Sequence, residues 1–287
     1  MTDPGAPRVA VYLDFDNIVI SRYDQVHGRN SFQKDRTAGF HKQPGRLTQA
    51  TVDVGAIIDF ASSFGTLVLT KAYADWSADV NADYRGQLVG RAVDLVQLFP
   101  AAAYAKNGAD IRLAVDAVED MFRLPDLTHV VIVAGDSDYI ALAQRCKRLG
   151  RYVVGIGITG SISKSLTAAC DEFVSYDALP GVPVAEPKKR ARRAKAAEPD
   201  DEPEQPDPQA AATGLLERAL RIGHEKDDAD WLHNSAVKAQ MKRMDPSFSE
   251  KSLGYKSFSD FLRARTDVVD LDESSTTRLV RLKTTAT

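Results

Sequence analysis

The chain holds only two cysteines in 287 residues, Cys146 and Cys170. That is too few for a disulfide framework, and no second pair stands at zinc-ligand spacing. Both fall inside helical patterns, so they are expected to be core thiols. No stretch approaches the roughly 18–20 uninterrupted apolar residues of a membrane span, and the opening Met1–Arg8 carries no apolar run, so a cytoplasmic protein is expected. Basic excess is missing too. The 40 acidic and 37 basic residues sum to −3, whereas nucleic-acid binders usually show a basic footprint. The sum excludes neither reading, because carboxylates massed in one place mask basic surface elsewhere. What is present is an ordinary globular composition, 44% hydrophobic and 27% charged. The chain exceeds one α/β domain of roughly 100–200 residues, so two domains are expected.

From Arg8 to Leu179 short β-branched runs alternate with helical patterns, which predicts a parallel sheet with helices on its faces. The predicted strands are Val9–Phe15, Thr66–Ala72, Asp94–Phe99, His129–Ala134, Tyr152–Ile158 and Glu172–Tyr176. Runs such as Val130-Val131-Ile132-Val133 are apolar throughout, as a strand covered on both faces should be. Residues 180–209 change texture to Pro, Ala and charge, with Lys188-Lys189-Arg190 and Arg192-Arg193 followed by the acidic Glu198–Asp207. Such a segment buries too little apolar surface to offset its ordering entropy and reads as a flexible tether. Residues 210–285 predict three helices, around Leu215–Leu220, Ser235–Met244 and Phe258–Arg265. Two strands, Val268–Leu271 and Arg278–Leu282, complete a winged helix.

Ligands of parallel α/β sheets bind beyond the carboxyl ends of the strands. The first strand runs into Asp14-Phe15-Asp16-Asn17, the second into Asp75, and the fourth into Gly135-Asp136-Ser137-Asp138. Asp110 opens a helix whose apolar face reads as Ala114, Ala117, Val118 and Met121, and at 100° per residue it points along that face. Asp116 falls on the polar flank with Arg112, Glu119 and Asp120, where a solvated face suffices. Ionised carboxylates so gathered repel one another unless a cation compensates. Mg²⁺, which takes oxygen ligands and retains waters, suits one or two carboxylates together with a substrate phosphate. Simpler readings stand beside this one: Asp136 or Ser137 can cap the helix Asp138–Leu149, and Asp110 can stabilise a helix dipole.

Taken together, Tyr12-Leu13-Asp14-Phe15-Asp16-Asn17, Tyr73-Ala74-Asp75-Trp76, Lys106-Asn107-Gly108-Ala109-Asp110 and Gly135-Asp136-Ser137-Asp138-Tyr139 resemble the NYN family of PIN-like nucleases. The resemblance extends through Ser165–Phe173. It implies an α/β, Rossmann-like parallel-sheet sandwich and a Mg²⁺- or Mn²⁺-dependent ribonuclease in which Asp14, Asp110, Asp136 and Asp138 bind metal. Asn17 would position a ligand, and Asp16 and Asp75 are further metal candidates. Ser137 and Lys106 would lie near the phosphate. Outside the family's motifs, Arg85 and Lys164 are candidate RNA contacts and Asp116 is a secondary candidate. The segment Leu253-Gly254-Tyr255-Lys256-Ser257-Phe258-Ser259-Asp260-Phe261-Leu262 is similar to the LOTUS, or OST-HTH, domain. That similarity implies an RNA-binding or protein-binding winged helix, with Lys251, Lys256, Arg263 and Arg265 at phosphates.

Two other functions fit part of this pattern. Asp14-Phe15-Asp16 and Gly135-Asp136-Ser137 imitate a haloacid-dehalogenase-like phosphohydrolase, but Asn17-Ile18 stands where that family has a small pair such as Gly-Thr. A non-catalytic RNA-binding protein is the other. Carboxylates facing phosphate without a metal would repel it.

Overall fold

The computed structural model describes residues 6–42, 44–99, 108–182, 207–227, 229–272 and 278–283. It divides into two compact units, 1–185 and 186–287. Among the described residues no helix is long and apolar enough to cross a membrane.

The first unit is built on six parallel strands: β1 (Arg8–Asp14), β2 (Thr66–Ala74), β3 (Asp94–Gln97), β4 (His129–Val133), β5 (Tyr152–Gly157) and β6 (Glu172–Ser175). Their order is β3-β2-β1-β4-β5-β6. All six stand within two residues of their sequence-predicted bounds, because apolar β-branched runs flanked by helical patterns suit a strand buried on both faces. β1 lies at the centre of the sheet, and its alternation divides the core. Val9, Val11 and Leu13 pack with the helices Phe15–His27 and Val54–Ser62. Ala10 and Tyr12 pack on the opposite face with the helices Gly108–Arg123 and Ile140–Arg148. Cys146 and Cys170 are free and buried, as expected, and burial pushes both thiols up to about 12.

The helix Gly108–Arg123 departs from its sequence reading. Its inward face is Leu113, Asp116, Ala117, Asp120 and Met121, one residue out of phase with the expected Ala114, Ala117, Val118 and Met121. Asp116 and Asp120 are therefore buried, not solvated. Each carboxylate meets a buried tyrosine hydroxyl, and those hydroxyls are what a count of apolar side chains leaves out. Ile111, Val115 and Phe122 lie exposed on the outer face.

The second unit packs the helices Pro208–Asp227, Asn234–Met244 and Phe258–Arg263 with a three-stranded antiparallel sheet. Its strands β7 (Leu232–His233), β8 (Val269–Asp272) and β9 (Leu279–Leu282) run in the order β7-β9-β8. The two-residue β7 is too short to leave a periodic signal. The edges of the expected tether are structured. Val182 is buried against the first core, and Gln209 Oε1 accepts from Arg265 Nη2 at 2.7 Å. Residues 183–206 lie outside the described residues.

Candidate active site

Two elements bring the first pair of carboxylates together. Asp14 ends β1 and caps the helix Phe15–His27, its Oδ1 accepting from the Asn17 backbone N–H at 3.2 Å. On β1 it shares a face with Tyr12, so it points towards the helix Gly108–Arg123. Asp110 lies in the first turn of that helix. Between them stands Tyr139, fully buried at the exit of β4. Its hydroxyl lies 2.8 Å from Asp14 Oδ2 and 2.9 Å from Asp110 Oδ1.

The electrostatics of this pair are those of carboxylates short of positive charge. Burial raises Asp14 to about 7 against the opposing pull of the Tyr139 and Asn17 hydrogen bonds, and the charges of Asp110 and Asp16 add to the rise. Asp110 is also raised, first by burial and then by the charges of Asp138 and Asp136. Asp136, Ser137 and Asp138 are exposed, and Asp136 accepts from the Asp138 backbone N–H at 3.3 Å, capping the turn Ser137–Tyr139. Gly135 permits the close crossing of two loops here. A Cβ on it would meet the Ser161 carbonyl at 2.7 Å, where the Ser163 N–H donates to the Gly135 carbonyl at 2.9 Å.

Asp16 and Asp75 form a neighbouring pair. Asp16 accepts from the Asp75 backbone N–H at 3.2 Å and from Asn81 Nδ2 at 2.6 Å. Asn81 also donates to the Asp75 carbonyl, and Gln97 Nε2 donates to Asp75 Oδ1 at 3.0 Å. Burial raises Asp16, whereas donation from Ser77 holds Asp75 below its ordinary value. Asn17 Oδ1 reaches the Gly135 N–H at 3.5 Å, a long tie between the exits of β1 and β4.

Asp116 does not join this group. It accepts from Tyr73 at 3.0 Å and from Arg112 Nε at 2.9 Å, further along its helix. Lys164 is exposed and begins the helix Lys164–Ala169 beside the Gly135 crossing. Arg85 is also exposed and donates to the Ala82 carbonyl. Lys106 lies outside the described residues. In the second unit Lys251, Lys256 and Arg263 are exposed, Arg263 in an ion pair with Asp260 at 3.0 Å. Arg265 corrects its expected phosphate role. It is 4% exposed, stacks 3.8 Å from the Phe261 ring centre and donates to Thr213, Gln209 and Phe261. A basic residue inside an apolar helix pattern was read by its charge, while its planar guanidinium serves the core.

Sequence reasoning put Tyr139 in the core for its ring and missed its hydroxyl. It missed Asn81 and Gln97 as well. The available signal was a tyrosine, with its polar tip, directly after the acidic exit of β4. Among the described residues, no three Asp, Glu, His or Cys side chains converge closely enough to hold a metal ion by themselves. The donors nevertheless fit a hard divalent cation. They are all carboxylate oxygens, and Asp14 is buried with hydrogen-bond donors but no cationic partner among the described residues.

The NYN domain family matches residues 8–177, which is more than half of the chain. The chain belongs to the NYN family. Membership indicates a PIN-like nuclease, in agreement with the parallel α/β sheet. The OST-HTH/LOTUS domain matches residues 206–281 and indicates RNA binding by the second unit. No curated protein matches the chain. A crystal structure of a protein of unknown function from Vibrio parahaemolyticus is similar at 21% identity with a TM-score of 0.44, covering 61% of this chain and 96% of its own.

Proposed function

We propose that this NYN protein is a Mg²⁺- or Mn²⁺-dependent ribonuclease, acting as an endonuclease, whose LOTUS domain recruits RNA. The observation that carries the reading is the Asp14–Tyr139–Asp110 arrangement at the carboxyl edge of the sheet: two carboxyls on one hydroxyl, with no cation beside them among the described residues. Asp14 and Asp110 would hold the ion, with the exposed Asp136 and Asp138 completing its ligands and Asp16 and Asp75 as a flanking pair. When bound, such an ion lowers the pKa of water and neutralises charge developing on the phosphate.

The protein's own groups bind and orient. Asn17 links the two acidic strand exits. Ser137, at the exposed exit of β4, can donate to a phosphate oxygen, and Lys106, Lys164 and Arg85 would supply countercharge along the RNA backbone. Asp14 is only 4% exposed and both of its oxygens accept hydrogen bonds. That suits holding a cation rather than attacking phosphorus, as a haloacid-dehalogenase-like mechanism would require. Lys251, Lys256 and Arg263 would meet RNA phosphates. The LOTUS domain would keep bound RNA at high local concentration near the nuclease domain. Two free, buried thiols suit a reducing cytoplasm.

The test is cleavage of end-labelled RNA in Mn²⁺ by the wild type, Asp14→Asn and Asp136→Asn. Loss of cutting in both variants is expected. Undiminished cutting in both defeats the site assignment, and wild-type binding without cutting establishes a non-catalytic RNA-binding protein instead.

A further inference from the structure

We propose that Tyr139 is a positioning residue for the divalent ion, its hydroxyl holding Asp14 and Asp110 at the separation in which the pair receives it. The inference rests on the metal-dependent reading above. Tyr139 is fully buried, with its ring packed in the core of the helical face, so the reach of its hydroxyl is fixed. The contacts at 2.8 and 2.9 Å join the end of a central strand to the first turn of a helix. The single hydroxyl proton serves one carboxylate, and the other carboxyl, while protonated, donates to the hydroxyl oxygen. Removing the hydroxyl leaves no group between the two, and they move apart. Among the described residues, Asp110 Oδ2 accepts no hydrogen bond, so the tyrosine does not exhaust the acceptors.

The same helix supplies its own control. Asp116 accepts from Tyr73 at 3.0 Å and Asp120 accepts from Tyr12 at 3.2 Å. These are two further tyrosine–aspartate bonds, roughly 9 and 15 Å beyond Asp110 along the helix at 1.5 Å per residue. They fix the helix on the sheet but touch neither Asp14 nor Asp110. Docking of the helix and spacing of the pair can therefore be removed separately, each by deleting one buried hydroxyl and keeping its ring.

The experiment is calorimetric titration of Mn²⁺ into the full-length chain after EDTA treatment and dialysis, for the wild type, Tyr139→Phe and Tyr73→Phe, with urea unfolding of each. Tyr139→Phe is expected to bind Mn²⁺ about 10-fold more weakly, as for loss of other groups that orient metal ligands. Tyr73→Phe is expected to stay within about twofold of the wild type while losing similar stability. Unchanged or tighter binding by Tyr139→Phe overturns the proposal, since the hydroxyl would then be indifferent or a competitor for the carboxylates. An equal loss in Tyr73→Phe also overturns it, because helix docking would explain both. A Tyr139→Phe chain that does not fold overturns it too, by assigning the hydroxyl to the fold. A wild type that binds no Mn²⁺ removes the metal reading itself, whereas a binding wild type with an indifferent Tyr139→Phe leaves that reading standing and removes this one.

Discussion

The two ends of the helix Gly108–Arg123 make the same contact with opposite electrical results. At its C-terminal end Asp120 accepts from Tyr12 and also meets Lys71 Nζ at 2.6 Å, and Asp116 combines Tyr73 with Arg112 at 2.9 Å. At its N-terminal end Asp110 and Asp14 share one tyrosine hydroxyl and have no such cation among the described residues. A hydroxyl satisfies a hydrogen bond but does not neutralise a buried charge, which is why burial holds Asp14 up at about 7. The compensated end docks the helix, and the uncompensated end is where the proposed ion would sit.

Breaking the uncompensated end should give the largest effect. Asp14→Asn or Asp110→Asn is expected to lower RNA cleavage about 1,000-fold, equivalent to several kcal/mol of charge stabilisation. Asp116→Asn, which keeps an acceptor for Tyr73, should stay within about 10-fold, and a collapse to the level of the other two would erase the distinction. At the compensated end Lys71→Met leaves Asp120, whose side chain is 6% exposed, with only the longer Arg123 ion pair at 3.9 Å. It should cost about 3 kcal/mol in urea unfolding, and a loss under about 1 kcal/mol would show that the ion pair carries little.

The pair without a cation should respond in the opposite sense. Asp14 is raised from an ordinary 3.8 to about 7, so its contribution to stability is fully present below pH 4 and is lost as pH rises towards 7. In EDTA at pH 8, Asp14→Asn should therefore be more stable than the wild type by on the order of 2 kcal/mol, with the difference closing near pH 4. Lower stability at pH 8 would contradict the charge argument. Smallest is Arg112→Ala. Its side chain is 61% exposed, so the change should cost less than about 1 kcal/mol. A larger loss would mean that Asp116 depends on Arg112 as Asp120 depends on Lys71.

Much of this was legible in the chain. Alternating apolar runs specified six buried parallel strands, and the carboxylates leaving β1, β2 and β4 had to gather at one edge, because parallel strands end on the same side. The phase of the helix Gly108–Arg123, from which Asp110 was expected to face inward, was not legible. Periodicity computed from apolar residues puts Asp116 and Asp120 outside, while tertiary packing buries them under Tyr73 and Tyr12. Arg265 failed for the related reason that an isolated charge says nothing of the rings stacked against it.

The sequence by itself therefore determined the parallel sheet and the acidic exits of its strands, since each depends on local pattern and chain direction. Only the tertiary structure decided which aspartates have a cation and which share a tyrosine. That choice is made by side chains distant in sequence, where β1, the helix Gly108–Arg123 and the exit of β4 meet, and no local pattern encodes the separation of two carboxylates across one hydroxyl.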